Sequence, residues 1–236
     1  MSDYITDYDS EDILCPVATV SFIRSMSNDI YPLLELATVQ DEKTTAPLLK
    51  SIIVLLGSYW KSFCLDLGKE ALDTITENID SARYLPRPVL EAIAQDIKQD
   101  SNELAVWALA DDDWRHHINN YFGHEASNKI FNTYSPGPKQ IDHYFYQLTG
   151  IVKITNTWHW EQDEYPFAPT SCTARQAQEK LQHFLDLEWD IAHQQTIPDL
   201  SHQSIQDYYA HLLVLAIKTH ATLKDYIEMP EETEYE

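Results

Sequence analysis

Apolar residues at Leu48, Ile52, Leu55, Leu56, Tyr59, Phe63 and Leu67 recur every three or four positions, and Leu49, Ile53 and Trp60 widen the stripe they make. That period gathers on one face only if the backbone is wound as an α-helix, since a strand sends alternate side chains to opposite faces. So broad a face needs several neighbours to cover it, which predicts a central helix inside a bundle. Pro47 suits the first turn of this helix, where its missing N–H has no partner to lose.

The segment Val17 to Val39 carries a similar period, with Pro32 expected to end, kink or restart it as one helix or two. Leu85-Pro86-Arg87-Pro88 breaks the chain before a shorter helix over 89–98, another apolar run opens at Leu104, and Asp111-Asp112-Asp113 suits a helix cap. Gly123 and Ser135-Pro136-Gly137-Pro138 mark a long loop ahead of a short helix over 140–148. Residues 151–160 are β-branched and aromatic but have no evident strand partner nearby, so they read as a loop. Thr173 caps a helix whose apolar face runs through Ala177, Leu181, Phe184, Leu185, Ile191 and Ala192, and Pro198 enforces the break after it. Ser201 caps the last long helix, with Ile205, Tyr208, Leu212, Leu215, Thr219, Leu223 and Tyr226 along one side.

The pattern is therefore an all-α bundle with long central and C-terminal helices and an irregular middle. Only 5 glycines in 236 residues agree with helix over sheet, and 44% hydrophobic content suffices for one core. The expected domain covers 13–228, between acidic tails at 1–12 and 229–236, too polar to bury much area. The formal charge is −22, and ten of those excess negative charges lie in residues 1–12 and 228–236, yet the remainder still opposes simple electrostatic binding to a phosphate backbone. Cys15, Cys64 and Cys172 make no paired framework and no zinc-type spacing, which indicates a reducing cytoplasm. The longest apolar run, Ile52 to Leu56, is too short to cross a bilayer, and no membrane partner is expected.

One polar constellation stands out. Glu188 is four residues from Phe184 and three from Leu185 and Ile191, on or beside the apolar face. An unpaired carboxylate there costs several kcal/mol, so it must reach water in a cleft or meet a cation. Asp190 precedes His193 by three residues, so carboxylate and imidazole can be neighbours at the helix end, where an imidazolium is favoured by the helix dipole.

The run Leu187-Glu188-Trp189-Asp190-Ile191-Ala192-His193 resembles the Arg-Asn-x-Ile-Ala-His segment of HEPN domains, particularly the RiboL-PSP-HEPN-like group. Ser58-Tyr59-Trp60-Lys61-Ser62-Phe63 resembles that group's central-helix pattern of an aromatic, Glu, a small residue and Phe. Tyr134-Ser135-Pro136-Gly137-Pro138-Lys139-Gln140-Ile141, with Phe145 and Leu148 to Ile151, resembles its Pro-rich loop and short helix. The resemblance implies a helical bundle that often dimerises, bringing two Arg-x4-His motifs together to cleave RNA without a metal, commonly in toxin–antitoxin or phage-defence systems. His193 would assist proton transfer, and the arginine would stabilise phosphate charge.

The chain departs from this pattern where the chemistry lies. Glu188 stands in place of the arginine, Trp189 in place of the asparagine, and Lys61 in place of the central-helix Glu. A carboxylate repels phosphate where a guanidinium grips it. Both charge signs are reversed together, so Lys61 and Glu188 are expected to form a cross-helix ion pair.

The leading expectation is thus a HEPN-like protein with an altered or lost ribonuclease centre at His193, Asp190, Glu188 and Lys61, acting through a protein partner or as a homodimer. The alternative is an active endoribonuclease in which His193 and Asp190 work with a cation such as Lys61, Arg175 or one from a partner subunit. A third reading is an acidic protein that covers a basic nucleic-acid-binding surface. No cofactor and no metal are expected: Arg115, His116, His117 and His124 lack further ligands at recognisable spacing, and they read as a solvent-facing or packing cluster. Trp158, His159 and Trp160 could stack bases but fit core closure better, and Cys64 reads as a packed side chain. Phosphate-binding glycine loops, Ser-centred nucleophile elbows and His-Glu-x-x-His motifs are absent from the sequence.

Overall fold

The computed structural model describes residues 17–39, 41–99, 107, 113–122, 135–168, 170–193 and 200–228. Among the described residues the fold is all-α: 83% is helical, and no strand is present. The anticipated Pro198 break, the Leu104 run, Asp111 and Asp112, Gly123, His124, Tyr134, Cys15 and both acidic tails lie outside the described residues.

Helix α1 (Val17–Ser25) continues through a π-helical turn (Met26–Ile30) into α2 (Tyr31–Val39), so Pro32 neither ends nor restarts the helix. A regular turn would drive the Pro32 ring into the carbonyl four residues back and leave that oxygen without a donor. The wider turn absorbs the mismatch, with the Tyr31 N–H donating to the Met26 carbonyl.

Helix α3 (Glu42–Asn78) is the predicted central helix, but it begins before Pro47, which lies inside it. Asp41 is the cap, its Oδ1 accepting from the Thr44 N–H at 2.8 Å. Pro47 is solvent-exposed near this end, so water can satisfy the carbonyl it leaves unpaired. α3 is long and apolar enough to cross a membrane by length and composition. Here its apolar residues are taken up by α1, α2, α6 (Pro138–Thr149), α7 (Ala174–Ala192) and α8 (His202–Glu228). Ile52, Ile53, Leu56, Trp60, Cys64, Leu67 and Ala71 are fully buried, and each large aliphatic or aromatic side chain so placed contributes about 1.5–3 kcal/mol.

Shorter elements close the ends. α4 (Arg87–Gln99) and α5 (Asp113–Asn120) lie toward the C-terminal end of α3, where Arg115 Nε donates to the Thr76 carbonyl at 3.0 Å and Nη2 to the Ile79 carbonyl at 2.6 Å. Pro138 occupies the first turn of α6, and Gly150 ends it with φ 79°. Thr173 and Gln176 form a reciprocal capping box on α7, and Ser201 Oγ accepts from the Ser204 N–H at 3.1 Å at the start of α8.

The 151–160 segment is a loop containing a 3₁₀ turn (Ile154–Thr157), and its extended end finds one antiparallel partner, Trp160 with Cys172. Trp158 and Trp160 point into the core, not outward to stack on bases. Trp158 Nε1 donates to Thr219 Oγ1 at 2.9 Å, and Trp160 Nε1 donates to the Thr170 carbonyl at 2.9 Å. On α8 the predicted face is buried from Ile205 to Leu223, whereas Tyr226 is exposed because the helix has by then run past the core.

Candidate functional pocket

Glu188 sits on the last third of α7, where the apolar face meets α3 and the segment that leads into α6. It is half-buried, as its helical position requires. Its carboxyl group packs on the backbone of α3 at Gly57, where a β-carbon would collide with both oxygens. A glycine inside a helix costs about 1 kcal/mol relative to alanine, and this contact is what the missing side chain makes room for. The third party is Ser135, whose Oγ lies 3.0 Å from Glu188 Oε1 and 2.9 Å from the Gly57 carbonyl oxygen.

Glu188 and Ser135 line a 480 Å³ pocket together with Lys61, Gln140, Gln182, Asp186 and Trp189. Burial pushes the Glu188 carboxyl above the ordinary carboxylate range, with the Ser135 hydroxyl and the Lys61 charge pulling in the opposite direction. The expected ion pair is not formed: Lys61 shares the pocket with Glu188, but no oxygen–nitrogen contact joins them within 4.0 Å among the described residues. Ser135, anchored beside Trp60, reaches the carboxyl instead. The indole N–H of Trp60 donates to the Pro136 carbonyl at 3.1 Å in the buried core, which fixes Ser135 next to α3.

His193 and Asp190 do not line this pocket. His193 is the C-cap residue of α7 and is exposed. Its ring stacks on Trp189 at 4.2 Å between centroids and 19° between planes, and Nδ1 lies 2.8 Å from the Trp189 carbonyl oxygen. A hydrogen bond to that carbonyl requires the proton on Nδ1. The sequence expects Asp190 and His193 to be neighbours at the helix end; Trp189 meets the imidazole there, through its ring and its carbonyl. Arg175, the other cation considered, lies about 20 Å from Glu188 along α7 by helical rise and is paired with Glu179 at 2.8 Å.

The remaining sequence candidates are structural. His117 Nε2 faces Asp96 at 3.7 Å, His116 bonds Asn120 at 2.9 Å, and Arg115 closes the end of α3 while lying over the Trp114 ring. Among the described residues no three His, Cys, Asp or Glu side chains come together as a metal site. Cys64 is buried, and burial pushes its thiol well up. A second cleft, of 560 Å³, opens where the start of α4 meets the C-terminal ends of α3, α6 and α8, and three exposed tyrosines, Tyr84, Tyr146 and Tyr226, stand around it beside Arg87.

The sequence singles out Glu188 and Lys61 but not Gly57, Gln182 or Asp186, and it places Ser135 and Gln140 only in a turn and the short helix after it. The usable signal was Gly57 itself, one of two glycines inside the strongest apolar helix. Compared with known proteins, the chain matches no protein-family model, no curated sequence and no solved structure.

Proposed function

We propose that this chain is a HEPN-like protein of a prokaryotic defence or toxin–antitoxin type module that acts by binding a partner, with its metal-independent ribonuclease centre altered or lost. The observation that carries this reading is the separation of the two motif positions. Glu188, in the arginine's place, is committed to Ser135 and to the Gly57 backbone, while His193 is held on Trp189 outside the pocket. Cleavage of that kind needs a cation and an imidazole at one phosphate. An acid that resists ionisation supplies neither. The tyrosine-rimmed cleft supports partner binding, because three exposed aromatic side chains around one cavity are what an interface core uses.

A second reading, an active endoribonuclease, is favoured by the exposed position of His193 at the end of α7. One assay separates the two. Labelled RNA is incubated with nuclease-free wild type and with His193→Ala. The expected result is no cleavage that depends on His193, and cleavage by wild type that vanishes in the variant would overturn the proposal.

A further inference from the structure

Ser135 Oγ stands between two acceptors, the Gly57 carbonyl at 2.9 Å and Glu188 Oε1 at 3.0 Å. A hydroxyl carries one proton and can donate to only one of them at a time. When Glu188 is ionised, the stronger acceptor takes that proton, and the Gly57 carbonyl loses its bond to Ser135. When Glu188 is the neutral acid, its own O–H donates to Ser135 Oγ, and the Ser135 O–H turns to Gly57. Only then are both contacts hydrogen bonds.

We propose that Glu188, Ser135 and Gly57 form a proton-dependent latch, in which protonation of Glu188 completes the bond that fastens the 135–137 segment to α3 along one wall of the pocket. The inference does not depend on whether the chain cleaves RNA. Three features of the geometry carry it. The carboxyl lies against the Gly57 backbone, so one of its faces is sealed from water. The three residues come from three separate parts of the chain, so the bond that switches is a tertiary one. The segment has a second anchor that does not titrate, the Trp60 N–H to the Pro136 carbonyl, so deprotonation transfers the Ser135 bond from α3 to Glu188 on α7 about a fixed point.

The charged groups facing Glu188 across the pocket are Lys61 on α3 and Asp186 on α7, while the loop and α6 contribute Ser135, Gly137 and Gln140, none of which titrates. Asp186 is engaged by the Gln182 amide at 2.9 Å. Lys61 favours the ionised acid and burial favours the neutral one, and burial is the larger influence. The proton held at Glu188 thus sets the shape of a pocket wall formed by Ser135 and Gly137.

The test is a pH titration of the full chain by carbon-detected NMR, following the Glu188 side-chain carboxyl and the Gly57 backbone carbonyl together. The two carbons are expected to move with one shared midpoint, above the ordinary carboxylate range. In Glu188→Gln, whose amide does not titrate, the Gly57 carbonyl should keep one position throughout. In Ser135→Ala, Glu188 should still titrate while Gly57 no longer follows it. A Gly57 carbonyl that ignores the Glu188 midpoint in the wild type overturns the latch without any variant, and so does a Glu188→Gln chain in which Gly57 still titrates with that midpoint.

Discussion

The carboxyl group of Glu188 occupies the space that a β-carbon on Gly57 would fill, so the two residues can change only together. Glycine at this point in α3 is a requirement set by α7, not by the helix it belongs to.

Gly57→Ala should therefore push the Glu188 carboxyl off Ser135, and because that carboxyl is the end of a flexible side chain and the helix gains from alanine, the net loss should be no more than about 1 kcal/mol. In a Glu188→Ala background the same change should stabilise by up to about 1 kcal/mol, because only the helix preference for alanine is left. Chemical denaturation of the four variants gives the coupling directly, and additive effects would show that the carboxyl does not rest on Gly57.

Raising pH from mildly acidic to neutral should cost stability through Glu70. Glu70 on α3 accepts the Ala18 N–H at 2.8 Å, which favours the ionised form, but burial outweighs that bond and, with Asp66 and Asp73 nearby, pushes its carboxyl up to about 7. The folded value lies above the unfolded 4.5, so the contribution is fully present below pH 4.5 and is lost as pH rises through about 7. Glu70→Gln should flatten stability between pH 5 and pH 8, by on the order of 1–2 kcal/mol after solvent screening. Urea midpoints across that range measure it, and an unchanged pH slope in the variant would exclude the assignment.

Acid acts through a different residue. His211 on α8 is buried, its Nε2 donates to the Ala177 carbonyl at 3.1 Å, and burial with the nearby Lys180 charge pushes it down to about 3. The stability that rests on a neutral ring is present above the unfolded 6.5 and is lost as pH falls toward about 3. His211→Gln keeps a donor without the titration, and its acid-unfolding midpoint should move to lower pH than that of the wild type.

Arg115 is predicted to matter for stability and not for ligand binding. Removing it in Arg115→Met leaves the Thr76 and Ile79 carbonyls without their donor and should cost about 1–3 kcal/mol in denaturation experiments. Arg115→Lys should recover only part of this, since one ammonium cannot bridge both carbonyls with the geometry of the guanidinium fork.

What could be seen in the sequence was whatever depends on local periodicity. The stripe from Leu48 to Leu67 and the caps at Thr173 and Ser201 place α3, α7 and α8 correctly, because each is decided by residues within a turn or two. Pro47 misled for the same reason: the start of α3 is set by Asp41, and the proline is tolerated where solvent can reach the backbone. The site was half legible. That Glu188 needed an explanation followed from its helical neighbours, whereas its partner did not, because Ser135 approaches it from 53 positions away. Reversed charge signs suggested Lys61, but long-range packing chose the hydroxyl.

The π-helical turn at Met26–Ile30 lets α1 and α2 run as a single rod that carries one surplus residue. One residue turns an ordinary helix by about 100°, and the wider turn takes up that surplus, so Phe22 before it and Leu34 and Ala37 after it all reach the core. Deleting a single residue between Met26 and Ile30 should therefore restore ordinary helix and leave those side chains facing the bundle. The irregular turn is a device of tolerance: it lets one helix hold an extra residue without turning its far half away from the core.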